Sequence, residues 1–220
     1  DHRTPLSEIS TLFRNEGISY MWMFQYMPIG RNPDDGLEIS NEQRLNLFRE
    51  WEKMLKDEKR NYPFFDFWNS GMSSSGCIAG AREGGYFYIN WDGNIMPCVF
   101  VPFYKDNVKE LYKEGSSLKD AVQSPFFKDI RKWQSDYFHG KCVGCGGGTG
   151  NMLTPCLIRD NHDKFLEVVK KYYNEGEVKP ENEEARKALE SDKWNKHLTQ
   201  KGNEYKELSS DIWREEYEQK

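Results

Sequence analysis

The 220-residue sequence predicts an α/β (α+β) chain: layered α/β structure at its start and α+β structure afterwards. Three observations carry that expectation. Apolar patterning alternates helix, strand, helix, strand over residues 1–70. A hairpin signature centred on Asp92-Gly93 then ends the alternation, and amphipathic helical patterns run from Asn161 to the C-terminus.

The first helix is read in PLSEISTLFRNE, residues 5–16, where Leu6, Ile9, Leu12 and Phe13 recur at helical spacing and Gly17 stops the run. ISYMWMFQYMPIG, residues 18–30, is a continuous apolar and aromatic run ended by Pro28 and Gly30, the pattern of a strand buried on both faces. Ser40, with Gln43 three residues on, is a capping box that opens a second helix reaching to the region of Lys59. PFFDFW, residues 63–68, is a second buried strand, and NSGMSSSG breaks the pattern. Two strands do not close a parallel sheet, which places the remainder upstream. The opening DHRTPLSEIS lacks an initiator Met and reads as a point inside a longer chain.

Beyond residue 70, YFYIN and IMPCVF flank WDGN, where Gly93 supplies the positive φ of a tight hairpin. VKELYKEG (108–115) is a short helix, and SLKDAVQSPFFKDIRKWQ (117–134) is helical with a break near Pro125. KCVGCGGGTGNMLTPC is glycine-rich and irregular. HDKFLEVVKKYY, ENEEARKALE and KELSSDIWREEYEQ are amphipathic helices, with Pro180 and Gly202 as breaks. There is no internal repeat.

The net charge of −5 excludes a basic nucleic-acid face, and most of the acidity lies after residue 160 on a solvated helical surface. No run of 18 apolar residues and no signal-peptide layout is present, so the expected setting is cytoplasmic, with no membrane partner. Five cysteines in a reducing compartment argue for metal or redox chemistry over a disulfide framework.

Cys77 and Cys98 bracket the hairpin, so their thiols can meet near its base. Cys142 and Cys145 form a C-x2-C chelate, and Gly144 and Gly146 to Gly148 leave room for backbone N–H groups to approach sulfur. Such thiolates suit zinc or iron–sulfur, and spacing alone does not separate the two. His139 offers an H-x2-C-x2-C zinc alternative, or is a surface histidine. Cys156, in TPCLIRD, is equally a small buried hydrophobe or a functional thiol.

Cys77, the G-x4-C from Gly93 to Cys98, the SPFFKDIRKWQ helix and CVGC together resemble the C-terminal SPASM or twitch extension of radical SAM enzymes. The resemblance implies three parts. Residues 1–70 are the last βα units of a partial (β/α)6 barrel, 71–160 an auxiliary cluster domain, and 161–220 a helical tail. It implies one auxiliary [4Fe-4S] cluster on Cys77, Cys98, Cys142 and Cys145. Cys156 is then a structural thiol or an extra ligand, because five thiols do not fill the two clusters of the full seven-cysteine pattern. The chain has no CxxxCxxC, so S-adenosylmethionine and its own [4Fe-4S] cluster belong to the full-length protein, and this chain alone is inactive. Gln25, Tyr26, Pro28, Ile29 and Arg31 lie by position on the side facing S-adenosylmethionine, or are barrel packing with Arg31 at the surface. The implied role is electron transfer or substrate positioning in a radical oxidation or modification, that is, oxidoreductase or peptide- or small-molecule-modifying chemistry. The implied partners are the missing N-terminal barrel half, a peptide or small-molecule substrate and an electron donor or acceptor protein. Two other classes stay open: a structural zinc module on the same four cysteines, and an interaction domain whose helical tail docks a partner.

Overall fold

The computed structural model describes residues 6–28, 34–56, 64–67, 76–138 and 150–214. At its N-terminal end, helix α1 (Leu6–Asn15), strand β1 (Tyr20–Met23), helix α2 (Asn41–Lys56) and strand β2 (Phe64–Phe67) follow in order. Ser40 starts α2 as expected: its N–H donates to Gln43 Oε1 at 2.7 Å, and its Oγ accepts from the Gln43 N–H at 3.1 Å. The strands pair in parallel, Tyr20 opposite Phe64 and Met23 opposite Phe67, the pairing that a helical crossover permits.

The expectation of a β1 buried on both faces is corrected. Tyr20 and Trp22 are exposed, while Met21 and Met23 turn toward the cluster built on Leu45, Phe48 and Trp51 of α2. The residue types suit a two-sided core, but the described helices cover one face of this two-stranded sheet. Among the described residues there is no closed barrel.

The hairpin forms where Asp92-Gly93 places it, from β3 (Tyr88–Ile89) and β4 (Ile95–Met96), with Gly93 at φ +92°. Asn90 staples the turn: its N–H donates to Asn94 O at 3.2 Å, and its Oδ1 accepts from the Asn94 N–H at 2.9 Å. Strand β5 (Phe103–Tyr104) follows, then α3 (Val108–Lys113), α4 (Leu118–Val122) and α5 (Pro125–Phe138). The break near Pro125 is therefore real, with proline at the first position of α5, where its missing N–H costs no helical bond.

Helix α6 (His162–Asn174), strand β6 (Lys179–Pro180), α7 (Glu183–Glu190) and α8 (Asp192–Ile212) complete the chain. Pro180 ends the helical run as predicted and pairs with Phe103. Gly202 does not break a helix: it lies inside α8, buried against the backbone of Asp160. A larger core gathers Ile95, Phe103, Phe126, Phe127, Phe165 and Tyr172 from the hairpin, β5, α5 and α6. A smaller one joins Leu6, Leu45, Phe48, Trp51 and Leu153 to Tyr205 of α8. The outcome is an α+β arrangement of helices with small two-stranded sheets. No described helix is long and apolar enough to cross a membrane.

Candidate metal centre

Cys77 follows Gly76, whose φ of +101° lets the backbone pass against the Phe138 ring; a Cβ there would stand 2.4 Å from the ring. The chain then folds back on itself. Tyr86 N–H donates to Ile78 O and Ala81 N–H to Tyr86 O, both at 2.9 Å, while Gly80 N–H reaches Pro97 O at 2.8 Å. That last bond ties the Cys77 loop to the residue before Cys98. The loop is braced from α5, where Gln134 Nε2 donates to Ala79 O at 2.9 Å and Arg131 Nη1 to Gly80 O at 2.8 Å. Arg82 Nη1 holds Cys77 O at 2.9 Å.

Cys98 Sγ lies 3.0 Å from the Tyr86 hydroxyl and 3.4 Å from the Phe100 N–H. Cys156 is held through its backbone, its N–H donating to Asp160 Oδ2 at 3.0 Å and its carbonyl accepting from Asp160 and Asn161 N–H.

Among the described residues the free cysteines Cys77, Cys98 and Cys156 are each half-buried as residues, yet desolvation is the largest influence on their thiols. Burial pushes Cys98 up to about 12 and Cys156 up to about 11, and it raises Cys77. The thiols also act on one another. Negative charge on Cys77 and Cys156 raises Cys98, and charge on Cys77 raises Cys156. Arg159 draws both Cys77 and Cys156 downward. Sequence reasoning left Cys156 as a structural thiol or an extra ligand; the fold brings it into electrostatic range of Cys98 and Tyr86.

Beneath Cys156 lies a buried charge network. Asp160 accepts from Arg44 Nη1 at 2.6 Å and from Arg159 Nη2 at 2.8 Å. Burial alone would raise its carboxyl, but Arg159 and Arg44 hold it well below the usual carboxylate range. Arg44 also donates to Leu153 O and lies 3.6 Å over the Tyr205 ring. Both guanidinium groups share this one carboxylate.

Cys142, Cys145 and His139 lie outside the described residues. Gly150 N–H donates to Tyr137 O at 2.9 Å. Among the described residues no group of three or more His, Cys, Asp or Glu side chains is arranged to hold a metal ion. Ile29 and Arg31 are likewise outside. Gln25 has a buried Oε1 without a hydrogen-bond partner, and Tyr26 accepts at its hydroxyl from Asp34 N–H at 2.9 Å. Pro28 lines an apolar cavity of about 330 Å³ with Phe103, Phe165, Leu189 and Trp194.

Residues 77–146 match the family model for SPASM, an iron-sulfur cluster-binding domain. Over these residues the chain is similar to iron-sulfur cluster-binding domains of the SPASM type, in line with the cysteine and G-x4-C pattern. The matched segment contains Cys77, Cys98, Cys142 and Cys145 and stops short of Cys156. No curated protein and no solved structure matches the chain. The chemistry of the donors suits such a group: Cys77, Cys98 and Cys156 are thiols free of disulfides, and Arg82 and Arg159 lower the cost of charge on Cys77. A metal displaces the proton that burial otherwise keeps on each sulfur.

Proposed function

We propose that the chain is the auxiliary-cluster portion of a radical SAM enzyme. In this reading Cys77, Cys98 and Cys156 are three ligands of one [4Fe-4S] cluster, and Cys142 or Cys145 completes the set. The observation that carries it is the iron-sulfur family match over residues 77–146, which contains Cys77, Cys98, Cys142 and Cys145, with Cys156 as a free thiol just beyond it. When bound, such a cluster supplies one-electron transfer at a potential set by burial, charge and hydrogen bonds to sulfur. Each thiol of the set serves a different iron, so the sulfurs need not converge on one point as they do around zinc.

The chain's own residues do the rest. Arg159 and Arg82 offset thiolate charge in a desolvated setting. Asp160 fixes the Cys156 N–H and is itself fixed by Arg44 from α2, so the thiol site and α2 hold one geometry. In the proposed enzyme, residues 1–70 are the last units of the partial barrel, supported by the parallel pairing of β1 and β2 through α2. Residues 71–160 form the cluster domain and 161–220 the tail. Gln25, Tyr26, Pro28, Ile29 and Arg31 would face S-adenosylmethionine; the orphaned Gln25 Oε1 supports a polar partner supplied from outside the described residues. The remaining barrel, an electron donor or acceptor protein and a peptide or small-molecule substrate are the partners, in a cytoplasmic radical oxidation or modification.

The test is metal and acid-labile sulfide content of the anaerobically purified chain. About four irons and four sulfides per chain is the expected result. One zinc and no sulfide would replace this reading with that of a zinc-stabilised module.

A further inference from the structure

We infer that Tyr86 is a positioning residue that raises the reduction potential of the thiolate site by donating its hydroxyl proton to Cys98 Sγ. The inference rests on the cluster reading and goes beyond it, since the ligand set contains no tyrosine.

The geometry is direct. Tyr86 Oη stands 3.0 Å from Cys98 Sγ, well inside the range for a hydrogen bond to sulfur. A metal-bound thiolate has no proton, so the phenol, with an ordinary pKa of about 10, is the only possible donor of the pair. Both partners are pinned by their backbones. Tyr86 is tied to Ile78 and Ala81 through its N–H and carbonyl, and Cys98 O accepts from the Val101 N–H at 3.0 Å. Gly85 tightens the loop before Tyr86, for a Cβ there would stand 2.0 Å from Ile78 O. The hydroxyl is therefore aimed at sulfur by the fold, with no flexible segment between them. The second donor to this sulfur, Phe100 N–H, is longer at 3.4 Å.

An added electron places more negative charge on the ligand sulfurs. A donor already in place stabilises that reduced form more than the oxidised one, and the potential rises. Removing the hydroxyl while keeping the ring leaves packing intact and takes away the donor.

The experiment is a redox titration, followed by electron paramagnetic resonance, of the anaerobically loaded chain as wild type and as Tyr86→Phe. A second variant carries a more acidic fluorinated tyrosine at position 86. The expected result is a lower midpoint for Tyr86→Phe and a higher one for the fluorotyrosine, at equal iron and sulfide content. Identical midpoints in loaded proteins would overturn the role of Tyr86 and leave the cluster reading standing. A wild-type chain that takes up no iron and sulfide would remove both. Should Tyr86→Phe fail to load, the comparison of wild type with the fluorotyrosine variant decides the matter alone.

Discussion

Asp160 is a carboxylate with no exposed side-chain surface, held between the guanidinium groups of Arg44 and Arg159 while its Oδ2 accepts the Cys156 N–H. Replacing it by asparagine leaves two buried cations facing each other, a change that costs about 3–5 kcal/mol when one partner of a buried pair is removed. Asp160→Asn should lower the denaturant midpoint at neutral pH by a corresponding amount. Its folded carboxyl is depressed well below the unfolded value of about 3.9, so its contribution is complete above the unfolded value and is lost as the pH falls from there through the folded one. The gap between wild type and Asp160→Asn should therefore hold steady above about pH 5 and shrink progressively as the pH falls below about 4. A gap that is constant with pH would show that Asp160 stabilises by shape alone. At this scale the sequence was legible for Cys77 and Cys98, because a hairpin turn and a G-x4-C fix their distance along the chain. It left Cys156 open as a structural thiol or an extra ligand, and it did not point to Tyr86. Cys156 is oriented by Asp160 and Asp160 by Arg44, 116 residues away, and no local pattern encodes such a contact. The Tyr86 bond to Cys98 crosses a loop whose course depends on Gly85 and Gly80.

Helix α8 shows how an element can be misread from a residue type that is usually a breaker. Glycine costs about 1 kcal/mol relative to alanine inside a helix, so Gly202 reads as a stop when propensity is weighed alone. In the structure its missing side chain allows α8 to touch the backbone at Asp160, where a Cβ would come within 2.7 Å of the carbonyl oxygen. The two effects oppose each other in Gly202→Ala. Helix propensity would favour the variant, while overpacking against a backbone atom that cannot turn aside costs about 1–3 kcal/mol. A lower thermal midpoint is the expected outcome, and a higher one would mean that the loop of Asp160 yields freely. Elements set by local chemistry were read correctly, including the Ser40–Gln43 box, the Asp92-Gly93 turn and the start of α5 at Pro125. Strand β1 was misjudged because its composition reports on apolarity and not on how many faces are covered.

Across the whole molecule, the ends of the chain share one core. Tyr205 of α8 is buried among Leu6, Leu45, Phe48, Trp51 and Leu153, and it lies under Arg44. Ending the chain after Ser191 would strip that cluster of its cover and loosen Arg44 from its ring. Hydrogen exchange should then show α2 losing protection together with the Cys156–Asp160 turn. Unchanged protection in α2 would instead make α8 a separable appendage. Through Arg44 and Asp160 this same core reaches the backbone of Cys156, so that residue is supported from the N-terminal layer and the tail at once. The claim on which the account turns is that Cys156 belongs to one site with Cys77 and Cys98. The direct measurement is iron and sulfide content of anaerobically purified Cys156→Ala beside Cys77→Ala and the wild type. The account predicts that both variants lose the cluster and that the wild type holds about four irons and four sulfides. A Cys156→Ala protein with the full wild-type complement, beside a Cys77→Ala protein without it, would contradict the account and return Cys156 to a packing role.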